Sequence, residues 1–285
     1  MIIKFERIEL NNPVVTKAEG IGGNGNERIQ SVAETNDGGY IVVGYFGSDE
    51  IQVGDYTLTN SGQIDGMITK YSAEGKLEWA RSVGGSNYDY IESVASTSDG
   101  GYIAGGYFDS GSIQVGEYTI VNNSTEDEFG NMQTDGMIIE YSSKGEVEWA
   151  RSIGGSSEDR INSVDSTSDG GYIAGGYFDS DEIQVGDYTL ENNSDYNGYD
   201  GMIIKYSSEG EVEFARNVGG GNRDYINSVA STSDGGYIVG GDFESDEIQV
   251  GDYTLTNSSS STNISDGMII KYSSEGVVEW ARSVG

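Results

Sequence analysis

The chain reads as all-β: a β-propeller-type array of four four-stranded antiparallel blades, preceded by an N-terminal two-stranded half-blade. Three observations carry that expectation. The string Trp79-Ala80-Arg81-Ser82-Val83-Gly84-Gly85 returns at 149–155, at 214–220 with Phe214 in the tryptophan place, and at 280–285. The aromatic positions are spaced by 70, 65 and 66 residues, a fixed period that marks a repeat architecture. No segment holds an apolar 3.6-residue period, and glycine at 44 of 285 positions interrupts any long helix.

The third unit serves as the template. Strand a runs from Arg160 to Thr167, turns through Ser168-Asp169-Gly170-Gly171 and returns as strand b, Tyr172 to Phe178. Asp-Gly and Gly-Gly between alternating runs signal a hairpin, because glycine supplies the positive φ that such turns require. A longer polar stretch containing Ile183-Gln184-Val185-Gly186-Asp187-Tyr188 follows, and strand c runs from Gly201 to Tyr206. Ser207-Ser208-Glu209-Gly210 then turns the chain into strand d, Glu211 to Val218. Four short antiparallel strands per unit suit a propeller blade, where radial repetition leaves few sheet edges open. A solenoid coil is shorter, typically ~20 to 45 residues, so a β-solenoid fits less well and an open superhelical array of blades is the alternative.

The ends follow the same grammar. Met1-Ile2-Ile3-Lys4-Phe5 matches strand c and residues 15–23 align with 147–155, so residues 1–23 form a c-d half-blade. Blades then occupy 24–85, 86–155, 156–220 and 221–285, within one domain overall. The count is five c-d hairpins and four a-b hairpins, so one c-d hairpin is unmatched and one a-b hairpin is missing. In the opening copy Lys17 and Glu19 replace the Trp and Arg of the motif, as expected of a cap facing water, whereas the undiverged closing copy reads as a cut or an interface.

Tyr177-Phe178, Ile183-x-Val185-Gly186, Asp200-Gly201-Met202-Ile203-Ile204-Lys205-Tyr206, the Ser-Glu-Gly turn and the motif at 149–155 resemble the bacterial β-propeller repeat known as SBBP, closely from Asn24 onward. The resemblance implies a propeller, and a place in the secreted or surface proteins of bacteria and archaea. Members of that family mostly have no assigned biochemical activity. The chain shows no basic-then-apolar signal segment, which taken literally implies the cytoplasm. A boundary drawn within a longer parent protein reconciles the two, and the expected location is extracellular or at the cell surface.

Composition narrows the chemistry. Fifteen Lys and Arg against 48 Asp and Glu give a formal charge of −33, a field that repels phosphate backbones and anionic membrane surfaces. Nucleic-acid binding is not expected, and neither is membrane insertion, since no run approaches the ~20 apolar residues of a spanning helix. The absence of Cys and His removes disulfides, thiolate nucleophiles, the commonest general base and the usual zinc ligands. Only carboxylates remain for acid–base work. No pair of them stands out from the repeat background, so no enzyme is expected, and a carboxylate glycosidase is the reading the repeat argues against.

Strand parity places the a-b and c-d turns at one end of every blade and the b-c and d-a connections at the other. The segments between Tyr-Thr-Leu (or Tyr-Thr-Ile) and Asp-Gly-Met cover 59–64, 121–134, 191–199 and 256–265, hence 6, 14, 9 and 10 residues. Recognition usually sits on loops that vary over a fixed scaffold. The residues expected to meet a protein or glycan partner are therefore Asn122, Phe129, Asn192, Tyr196, Tyr199 and Asn263. Acids follow strand b and enter the Ile-Gln-Val-Gly segment: Asp179, Asp181, Glu182 and Asp187 in unit three, Glu244, Asp246, Glu247 and Asp252 in unit four. Hard oxygens at alternate positions make Ca²⁺ the candidate ion, with no cofactor required. The competing reading is a solvated acidic surface.

Arg81, Arg151, Arg216 and Arg282 are expected to pair with carboxylates of the Asp-Gly-Met or pre-strand-a segments. Asp65, Asp135, Asp200 and Asp266 read as turn formers, and Trp79, Trp149, Phe214 and Trp280 as core. Tyr88, Tyr90 and Tyr225, near the start of strand a, either face a glycan or pack. The resulting reading is a non-catalytic propeller repeat module acting as a structural and interaction scaffold. The alternative is a self-assembling subunit, a ring or filament whose partner is itself, completed by exchange of the unmatched hairpin.

Overall fold

A computed structural model of the chain describes residues 2–6, 14–126, 132–195, 198–259 and 264–285. Among these the regular structure is entirely strand. An N-terminal hairpin pairs β1 (Ile2–Glu6) with β2 (Val14–Glu19). Repeat 1 comprises β3 (Glu27–Glu34), β4 (Tyr40–Phe46), β5 (Glu50–Val53), β6 (Tyr56–Thr59), β7 (Asp65–Tyr71) and β8 (Leu77–Val83). Repeat 2 holds β9 (Asp89–Ser96), β10 (Tyr102–Phe108), β11 (Ser112–Val115), β12 (Tyr118–Val121), β13 (Asp135–Tyr141) and β14 (Val147–Ile153). Repeat 3 holds β15 (Asp159–Ser166), β16 (Tyr172–Phe178), β17 (Glu182–Val185), β18 (Tyr188–Glu191), β19 (Asp200–Tyr206) and β20 (Val212–Val218). Repeat 4 holds β21 (Asp224–Ser231), β22 (Tyr237–Phe243), β23 (Glu247–Val250), β24 (Tyr253–Thr256), β25 (Asp266–Tyr272) and β26 (Val278–Val284).

Each repeat forms one four-stranded antiparallel sheet in the order a-b-c-d, such as β15-β16-β19-β20. The expected strands therefore stand within a residue of their predicted ends. Every strand a carries a bulge, with Ile161 opposite Gly176 and Ser163 opposite Gly175. Opposite that bulge the backbones close in: a Cβ on Gly176 would lie 1.9 Å from the Arg160 carbonyl oxygen, so only glycine fits.

The polar stretch between b and c is not a loop throughout. It folds into a two-stranded ribbon, β5-β6, β11-β12, β17-β18 or β23-β24, giving six strands per repeat where four were expected. Ile183, Val185 and Leu190 turn inward and are buried while Glu182, Gln184 and Thr189 face out, a period of two carried through a Gly186-Asp187 turn. The ribbon lies along strand d, and the Tyr188 hydroxyl donates to the Glu213 carbonyl.

Consecutive sheets pack face to face. At the junction of repeats 2 and 3, Ile103, Ile138 and Ile153 meet Ile161, Val164 and Tyr172 in one continuous core, and the other two junctions repeat the pattern. Trp79, Trp149 and Phe214 join these junctions as expected, Trp79 lying 5.8 Å from Tyr102 and 6.3 Å from Tyr141 of the next repeat, whereas Trp280, on the last sheet, is half-buried and outside these cores. Gly145 of the next c-d turn has φ +74°, and its absent Cβ would lie 2.7 to 3.0 Å from the Trp79 ring. That glycine is thus required twice, for its dihedral and for its space.

Candidate functional site

The variable segments are fastened by one device. Asn122 Nδ2 donates to the Phe108 and Gln133 carbonyls at 3.1 and 2.8 Å, clamping the end of strand b to the approach to strand c. Asn60, Asn192 and Asn257 repeat the clamp. The aspartate opening strand c takes the next amide: Asp135 Oδ2 accepts from Asn123 N at 2.8 Å, and Asp65, Asp200 and Asp266 do likewise from Ser61, Asn193 and Ser258. The side-chain oxygens replace backbone partners that an irregular loop cannot supply. Asn122 and Asn192, expected to meet a partner, are thus committed to holding the loop.

The same aspartates lie beside those that open strand a of the next repeat. Asp135 and Asp159 flank Gly154, where a Cβ would sit 2.4 Å from one carboxylate and 2.9 Å from the other. Asp159 accepts from Gly155 N at 2.7 Å and from Ser180 Oγ at 2.7 Å, and Asp89 and Asp224 have matching partners. Burial, far outweighing those hydrogen bonds, pushes the Asp89, Asp135 and Asp224 carboxyls up to about 6 and that of Asp159 to about 7. Asp65 and Asp200 are raised by the same cause. Oδ1 of Asp65, Asp135 and Asp200 is buried without a hydrogen-bond partner. Within each pair the carboxylate of strand c adds to the rise of its strand-a neighbour, so the protonated form of one member is favoured below neutral pH.

At this loop end the second residue of strand a and the penultimate residue of strand b form a row across the sheets. Tyr45 meets Tyr90 edge-on at 5.0 Å, and Tyr90 meets Tyr107 at 4.9 Å. The Arg160 guanidinium lies 4.0 Å above Tyr107 and 6.0 Å from Tyr177, whose ring meets Tyr225 at 5.0 Å and Tyr199 at 5.1 Å. Arg223 adds a further guanidinium 5.6 Å from Tyr199. Glu158 ties the row down, accepting from the Tyr177 hydroxyl at 2.8 Å and pairing with Arg160 at 2.8 Å. The rings are half-buried, leaving edges open to a partner. Tyr90 and Tyr225 pack here, while Tyr88 stays exposed and donates to Gln63. The row itself was legible in one respect: strand-a position two runs Arg28, Tyr90, Arg160, Tyr225 in otherwise uniform repeats.

At the opposite end, Lys205 is buried on strand c, with Nζ 3.0 Å from Asp169, 3.0 Å from Glu213 and 2.9 Å from the Tyr206 carbonyl. Lys70 and Lys271 sit in the same cage. Repeat 2 has Glu140 there. Asp99, Glu140 and Glu148 converge with their ligand oxygens within 4.8 Å of one another, the one such group of three acids among the described residues. An all-oxygen set of this kind suits a hard divalent cation. Burial raises the Glu140 carboxyl, the neighbouring acids add to it, and the Tyr172 hydroxyl donates to it.

The acids chosen from sequence are divided by the ribbon. Asp179, Asp181 and Glu182, with Glu244, Asp246 and Glu247, stand where the ribbon leaves strand b, whereas Asp187 and Asp252 stand at its tip beside the start of strand d. Four strand residues separate the groups, about 13 Å. Phe129, Tyr196 and Asn263 lie outside the described residues. Arg81, Arg151, Arg216 and Arg282 depart from expectation: each guanidinium lies exposed, 5.5 to 5.8 Å from the aromatic ring two residues earlier on the same strand face. The Asp-Gly-Met carboxylates they were expected to meet are turned into the loop anchors.

No protein-family model matches this chain, and no curated protein does. A crystal structure of a protein of unknown function from Bacteroides caccae is similar with a TM-score of 0.36 and 10% identity, over 90% of this chain and 82% of that one. It transfers no role.

Proposed function

We propose that the chain is a non-catalytic scaffold module, its sheets arranged as propeller-type blades of the SBBP kind, in a secreted or surface protein. The loop end receives a protein or glycan partner. The observation that carries this reading is the confinement of variation: segments of 6 to 14 residues differ from repeat to repeat, yet all hang from the same Asn clamp and Asp anchor. The half-buried tyrosine and arginine row beside them supplies side chains common in recognition surfaces. The buried acids have structural partners, which argues against reserving any of them for catalysis.

The test replaces residues 123–134 by Ser-Gly-Gln-Ile, the sequence at 61–64, keeping clamp and anchor at both ends. Circular dichroism and melting temperature should stay close to the parent, while binding on a glycan array or to an immobilised panel of surface proteins is lost or redirected. Glycoside turnover abolished by one carboxylate substitution would overturn the proposal, as would binding indifferent to all four loops.

A further inference from the structure

Each internal junction seats the strand-a Ile and Val of one repeat on strand b of the repeat before, against Val43 at the first junction and against a glycine at the other two. Ile161 and Val164 of repeat 3 press onto Gly105 of repeat 2, where an added Cβ would come within 2.7 Å of Val164 and 2.8 Å of Ile161. Ile226 and Val229 press onto Gly175 at 2.6 Å each. Alongside, the serine after each bulge accepts a backbone hydrogen bond from the following repeat: Val94 N to Ser31 Oγ at 3.4 Å, Val164 N to Ser93 Oγ at 3.0 Å, Val229 N to Ser163 Oγ at 3.1 Å.

The two outer sheets carry the unmatched halves of that contact. Val32 is 64% exposed on repeat 1, against 5% for Val94, Val164 and Val229. On repeat 4, Gly240 stands in the place of Gly105 and Gly175 with nothing within 4 Å of an added Cβ, and Ser228 is exposed. Ile269 beside it is 38% exposed, where Ile68, Ile138 and Ile203 are at most 1% exposed. We propose that a second copy of this chain docks head to tail on repeat 4, placing its Ile29 and Val32 on Gly240 and its Val32 amide on Ser228. The partner is specified because the serine hydrogen bond already forms at all three junctions within the chain and the Ile-Val-on-glycine contact at two of them. The contact is heterologous, so it closes into a ring or propagates as a filament. It differs from hairpin exchange in leaving every strand paired within its own molecule.

Sedimentation velocity of the full chain over a range of concentrations provides the test. The wild type should gain mass with concentration, more so in high salt, because copies carrying −33 repel one another while the contact itself is apolar. Val32→Glu alters an exposed position and Gly240→Glu a half-buried one with nothing within 4 Å of an added Cβ, and each alone should weaken association about tenfold or more. Mixed, they should form a discrete 1:1 dimer, since each variant keeps the face that the other has lost. A wild type monomeric at every concentration and salt would overturn the proposal, as would association untouched by both variants or a mixture that stays monomeric. Circular dichroism of each variant guards against misfolding.

Discussion

Lys70, Lys205 and Lys271 bring an ammonium group into the end of a sheet between a turn aspartate and a strand-d glutamate, and repeat 2 meets the same two acids with Glu140. A buried carboxylate among carboxylates is held at a cost that a cation at that atom would remove. Glu140→Lys is therefore expected to raise stability by about 1 to 3 kcal/mol, read as a higher midpoint in urea unfolding. An unchanged or lower midpoint would show that the acid cage is already neutralised by another route. Gly210 makes the opposite case: its φ is +74° and an added Cβ would lie 2.6 Å from the Trp149 ring. Gly210→Ala should destabilise by about 1 to 3 kcal/mol, with the tryptophan emission shifted as the ring is displaced.

At the scale of the element, position within the stack decides what a residue is worth. Ile161 and Val32 are both apolar strand-a residues, yet one is fully buried and the other mostly exposed. Ile161→Ala should cost about 2 to 4 kcal/mol, and Val32→Ala no more than about 0.5 kcal/mol in dilute monomer, both measurable by chemical unfolding. The four long strands of each repeat were legible because Asp-Gly turns punctuate alternating runs. The ribbon was not, although Ile183-Gln184-Val185 and Tyr188-Thr189-Leu190 flank a Gly-Asp turn. Its strands are only four residues long, and the acids around it made the segment read as solvated. The loop clamps were equally hidden, since an asparagine that bridges two carbonyls is written no differently from one that faces water.

For the molecule as a whole, pH acts through the junctions. Asp89, Asp135, Asp159 and Asp224 titrate near 6 to 7 when folded and near the ordinary 3.8 when unfolded, so the folded chain binds more protons between about pH 4 and 7. Their contribution is complete below about pH 4 and is lost as pH rises through 6 to 7. Asp37 and Asp234, held down to about 2 chiefly by their threonine hydroxyls, act with opposite sign only in stronger acid. The melting temperature should thus be higher at pH 5 than at pH 8, and Asp159→Asn should flatten that slope in a calorimetric series. These pairings join residues 24 apart across two sheets, and no local pattern announces them. What the sequence did announce was their recurrence, which is why the end of the sheets that carries variation was predictable while its internal wiring was not.

The recurring contact of strand a with the preceding sheet has a genetic corollary. A duplicated stretch of about 65 residues, inserted between any two repeats, would find a matching surface waiting on either side. Copy number can therefore drift in descent without any new interface having to evolve, and loops can diverge on each added unit while the stack stays the same.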